Sequence, residues 1–136
     1  MAIIGFNLSK IAVERKDVIT GQVKVNSKMD ITNIRKEKIE ITKGKEVLRF
    51  DFEFLILYDP ELAKLEFKGH VLVMDDPKVT NNILKDWKTK KIENSLKEQV
   101  FNIILRKCTV KAFTLEEELN LPTHFPLPIV KAEEKK

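Results

Sequence analysis

The chain has 136 residues, 43% apolar and 34% charged, with a net charge of +4: one domain, long enough for a core without staples. One cysteine excludes an intrachain disulfide framework and predicts a reducing, cytoplasmic setting; no run of about 18 apolar residues exists to span a membrane. The basic excess is interleaved with glutamate between 28 and 45 and at Lys135-Lys136, which reads as solvated surface and predicts no nucleic-acid partner.

The start, MAIIGFNLSK, has no basic residues before its apolar part and is not read as a secretory signal. Residues 3–14 predict a first strand. Ile4, Phe6 and Leu8 alternate with polar or small residues, then Ile11 and Val13 take the other parity. Such a switch calls for a bulge near Ser9-Lys10. In 20–34, Val23, Val25, Met29 and Ile31 point one way, and Lys24, Asn26, Lys28, Asp30 and Thr32 the other. A charged stretch follows to 45, in which Ile39 and Ile41 offer an extension of this strand and Lys43-Gly44-Lys45 a turn.

Residues 46–58 form the third strand. Leu48, Phe50, Phe52, Phe54, Ile56 and Tyr58 share a face, and Arg49, Asp51 and Glu53 give way to Leu55 and Leu57 on the other. Asp59-Pro60-Glu61 closes a hairpin into a fourth strand, 62–74. Asp76 as N-cap and Pro77 at the first helical position start a short helix, 77–88, bearing Ile83, Leu84 and Trp87. A long helix over 90–113 follows, free of Gly and Pro. Prolines 122, 126 and 128 then forbid regular structure, and 131–136 is a charged tail expected to be disordered. The expectation is one α+β domain over 1–130: a four-stranded antiparallel meander, then a long C-terminal helix packed on one face.

The long helix carries two apolar stripes. Ile92, Leu96, Val100, Ile103 and Val110 lie on one; Phe101, Ile104, Leu105 and Cys108 lie on the other. The sheet can cover one of them, so the second is expected to meet another copy of the chain.

Chemistry is sparse. Glycines 5, 21, 44 and 69 stand singly and form no phosphate loop. His70, His124 and Cys108 do not have metal-ligand spacing, so no metal or other cofactor is expected. Cys108 sits among apolar helix residues, where a thiol is inert. Asp75-Asp76 reads as a cap and turn, and Asp51 with Glu53 as ion-pair partners on a strand. No catalytic residues are assigned, and the chain is not read as an enzyme. What remains is apolar surface. Ile83, Leu84 and Trp87, with Leu121, Phe125 and Leu127 from the proline-rich segment, are expected to line a groove for polypeptide, with Leu55 and Leu57 as further candidates.

In this order the pieces GFNLSKIAVE, the strands of 20–74, the segment 83–87, the helix 90–113 and LNLPTHFPLP resemble the SecB family of export chaperones. The resemblance spans nearly the whole chain. It implies an ATP-independent holdase for unfolded or precursor polypeptides, assembled through the long helices as a homotetramer, a dimer of dimers. The family's second helix is reduced or missing here, and so is the Gly-Gly start of its fourth strand. Its acidic sheet face is represented only by Asp51, Glu53 and Glu66 among lysines, which weighs against a SecA-type motor as partner. Two other readings fit a sheet with a helix. A module binding RNA or protein without chaperone activity would show aromatics on the solvated sheet face. A thioesterase-like enzyme would place its central helix between strands.

Overall fold

The computed structural model describes residues 2–17, 21–39 and 43–126. Four strands come first: β1 (Ala2–Arg15), β2 (Lys24–Glu37), β3 (Glu46–Asp59) and β4 (Ala63–Asp75). The helices α1 (Pro77–Trp87) and α2 (Asn94–Glu118) follow. All strand pairs are antiparallel, and the order across the sheet is β1-β4-β3-β2. This corrects the meander: β1 lies beside β4, not beside β2. Three hairpin-ordered strands with the remaining one beside the far strand make a Greek key. The burial pattern explains the choice. Leu65, Phe67, Val71 and Val73 of β4 are all fully buried, which needs a neighbour on both sides.

The expected bulge in β1 is present, as a register shift between Leu8 and Lys10. A second shift lies between Ile3 and Gly5, and a third in β2 between Ile31 and Asn33. The β2 shift brings Ile34 opposite Phe50 on the inner face, where it is buried. The predicted face of β3 is the core: Leu48, Phe50, Phe52, Phe54, Ile56 and Tyr58 are at most 2% exposed.

Both helices cover that face. α2 packs on β4, and α1 packs on β3 and β2. Pro77 opens α1 as expected, but the Asp76 carboxylate accepts from Lys45 Nζ at 2.7 Å and does not cap the helix. α2 starts four residues later than the spacing suggested, at Asn94. Lys90 takes a positive φ of 59° and sets its ammonium 4.4 Å over the Trp87 ring, which ends the preceding turn. At its other end α2 runs through Leu115-Glu116-Glu117-Glu118, because Glu116 is pulled into the core.

Candidate functional site

The helices seal the centre of the inner sheet face and leave its margins open. Directly opposed residues of paired strands share a face. Val25, Met29 and Ile31 of β2 oppose Tyr58, Phe54 and Phe52, so they lie on the helix-bearing face. Phe6, Ile11 and Val13 of β1 oppose Val71, Phe67 and Leu65 and lie on the same face. Yet none of these edge residues is buried; Ile11 is 46% exposed. Two half-open apolar rows therefore run along the sheet, one on each margin.

Between them runs α2. Its buried line is Leu96, Val100, Ile104, Cys108, Ala112 and Glu116, one residue in every four. Here the two stripes read from the sequence are corrected. Ile104 and Cys108, placed on the outward stripe, are fully buried in the core of the chain itself. Steps of four outrun the 3.6-residue turn, so the line drifts round the helix by about 40° per step. The two ends of α2 meet different neighbours, α1 at the start and the 119–126 loop at the end. Each buries a different side. Of the predicted interface residues, Phe101 and Leu105 remain half-buried and exposed, respectively. They share a flank with Phe113, while Val110 on the far side is 64% exposed. Just past the end of α2, the chain is tied to β1, where Arg15 donates to the Leu119 carbonyl.

One polar knot lies in this apolar setting. Glu116 and the side chain of His124 are all but excluded from solvent, at 0% and 5% exposure. The Glu116 carboxylate accepts from the Tyr58 hydroxyl, from the His124 backbone N–H at 2.9 Å and from His124 Nδ1 at 3.1 Å. A carboxylate only accepts, so a hydrogen bond at this ring nitrogen requires the His124 tautomer with its proton on Nδ1. Burial first, and then the neighbouring carboxylate, push the Tyr58 phenol far above its ordinary range, which keeps it a donor. The imidazole stands 5.5 Å from the Phe113 ring and 6.2 Å from the Phe54 ring. The sequence reading set His124 aside for lack of metal-ligand spacing and missed this contact. An eight-residue separation from Glu116 across Pro122 carries no periodic signal.

The expected groove residues fall into separate places. Ile83 is buried at 9% exposure, and Leu84 and Trp87 pack half-buried beside it at the α1 end of the sheet. A cavity of about 330 Å³ there is floored by Val79, Ile83, Ile92 and Leu96 and rimmed by Asp75, Asp86 and Glu93. Leu121 is buried at 7% and Phe125 is 58% exposed; both lie beyond the other end of α2, roughly 35 Å away by the helical rise. Leu127 and the 131–136 tail lie outside the described residues. Leu55 and Leu57 are half-buried on the helix-free face, opposite Glu66 and Lys64.

Burial pushes the Cys108 thiol up to about 12, so the reactive thiolate is not available near neutral pH. Arg49 donates to Asp51 at 2.8 Å, Glu53 opposes Lys68, and Glu66 pairs with Lys10. Among the described residues the helix-free face carries no Phe, Tyr or Trp: Phe6, Phe50, Phe52, Phe54, Tyr58 and Phe67 all face the helices. The stacking platform that single-stranded RNA needs is absent from it. Among those residues, too, no helix is long and apolar enough to cross a membrane.

No family model and no curated protein matches the chain. Among solved structures the chain is similar to the SecB-like chaperone Rv1957 of Mycobacterium tuberculosis, captured in complex with a ChAD peptide from the HigA1 antitoxin. The TM-score is 0.52 at 15% identity, covering 98% of this chain and 92% of that one. The likeness is one of fold. The four-stranded antiparallel sheet and its C-terminal helix are SecB-like.

Proposed function

We propose that this chain is an ATP-independent holdase that keeps unfolded polypeptides from aggregating in an apolar trough beside α2. The observation that carries this is the pair of half-open apolar rows on the helix-bearing face. Surface of this kind, long and without charges at its floor, accepts apolar side chains with little regard for their order. A neighbour of like fold that is a chaperone bound to a peptide supports the same reading. The client-facing set is Leu84, Trp87 and Phe125 at the ends of the trough, with Ile83 and Leu121 supporting them from the core; Leu127 stays a candidate on its sequence alone, and Leu55 and Leu57 are the reserve site.

Assembly belongs to this proposal. Leu105 and Val110 stand in solvent on the outer side of α2, and Phe101 is half-buried. They fit a helix-to-helix contact between copies, in a homotetramer acting in the cytoplasm. The neighbour's bound antitoxin peptide favours a narrower second reading, in which one dedicated polypeptide is held rather than many export precursors.

The test is aggregation of a chemically unfolded client on dilution, with and without this protein and without ATP. Suppression of light scattering at near-stoichiometric amounts is expected, with little loss when salt is raised, since burial of apolar surface is not screened. No suppression across several unrelated clients leaves only the dedicated-partner reading, which a pull-down with its candidate peptide then decides.

A further inference from the structure

We propose that Glu116 is a positioning residue: its buried carboxylate fixes the 119–126 loop as one wall of the trough and so sets where Phe125 stands. The proposal rests on the holdase reading for its functional half and on geometry for its structural half.

A carboxylate with no exposure is costly to bury, and an apolar side chain of similar size would seat α2 on the sheet more cheaply. What the charge adds is a set of directed contacts. Three donors converge on it from two other parts of the chain, the Tyr58 hydroxyl from β3 and the backbone and ring of His124 from the loop. The same residue's carbonyl accepts from the Leu121 N–H at 2.8 Å. Glu116 thus grips the loop at two points three residues apart. Apart from these, the loop is held by Arg15 at the Leu119 carbonyl, by the buried Leu121 side chain and by the His124 ring beside Phe54 and Phe113. Pro122 and Pro126 lack donors, Thr123 and Phe125 are exposed, and Asn120 turns the chain at a φ of 53°. Phe125 follows the anchored His124 directly, so its place beyond the end of α2 is set by that anchor.

The decisive variant is Tyr58→Phe with Glu116→Leu, which replaces the polar pair by apolar side chains of similar size. The expected result has three parts. The denaturation midpoint stays at or above that of the parent. Amide exchange at Leu121 and His124, the two amides held by Glu116, becomes faster, by at least about tenfold at His124, where a charge-assisted hydrogen bond is lost. Most client protection disappears while the oligomer is retained. Unchanged exchange at those amides overturns the anchor. Faster exchange with undiminished client protection overturns its role in holding clients. Glu116→Gln keeps size and one acceptor oxygen and gives exchange between the two. A folded Gln variant equal to the parent in both exchange and protection also overturns the proposal, and decides the matter if the double variant does not fold. A parent protein without holding activity sinks the holdase reading, while the exchange result still judges the anchor.

Discussion

Phe6 and Phe52 stack with ring centroids 5.5 Å apart and planes 24° from parallel, although they belong to β1 and β3 with β4 between them. Gly69 makes this possible. It opposes Leu8 on one side and Phe52 on the other, and the rings close over the side chain it lacks. A Cβ there would stand 2.1 Å from the Asn7 carbonyl oxygen and 3.0 Å from Phe52 Cζ. The backbone contact cannot yield without moving β1. Gly69→Ala is therefore expected to cost about 3 kcal/mol, the upper end for overpacking, and to speed amide exchange across β1. Urea denaturation with residue-resolved exchange checks both; a stability within error of the parent refutes the pairing.

Ile104 and Leu105 are adjacent in sequence and differ completely in environment, one sealed in the core and the other 41% exposed. Ile104→Glu places a charge in the core and should unfold the subunit. Leu105→Glu should leave each subunit folded and split the assembly. Circular dichroism and light scattering on a sizing column separate these outcomes. A Leu105→Glu protein that keeps the parent's mass moves the contact away from this flank.

Trp87 and Phe125 stand at opposite ends of α2. Remote sites add independently. Trp87→Ala and Phe125→Ala are each expected to remove part of the client protection, and the double variant the sum of the two on a free-energy scale, with fold and oligomer intact. Titration of this protein against a fixed client gives the three values. Strong non-additivity would mean that one short contact, not a long trough, holds the client.

Two buried acids set the alkaline limit. Burial raises the Cys108 thiol from its ordinary 9.0 to about 12, and Tyr58 is raised from 10.0. Above the unfolded value the unfolded chain releases a proton that the native chain keeps, so the unfolded state binds fewer protons and stability falls as pH rises. The contribution is whole below about pH 9 and is lost between there and about 12 for Cys108. Urea midpoints measured through this window should decline, and less steeply in Cys108→Ala. An equal slope in both would place the thiol in water.

The strands were legible because period-2 alternation states its own answer. Phe50 through Tyr58 gave the core face, and the parity switch at Ser9 gave the bulge. The partner of β1 was not legible: its alternation fits beside β2 or β4 equally well. The helix misled for a definable reason. Leu96, Val100, Ile104 and Cys108 form one line with a step of four. A search for 3.6-residue stripes divides that line between two tracks. The site was half legible. Apolar residues with no obvious cover were recognised at 83–87 and 121–125, but their separation along α2 depends on where the helix lies. The Glu116–His124 contact depends on a loop whose path no local pattern encodes.

The open rows along β1 and β2 also give the protein a thermal character. Burial of apolar surface carries a negative heat-capacity change and weakens on cooling. A grip made by Val25, Met29 and Ile31 on one margin and Phe6, Ile11 and Val13 on the other should loosen in the cold and tighten as the solution warms. Warming is also when other proteins begin to expose their interiors, so the affinity would rise with the demand for it, without nucleotide or any moving part.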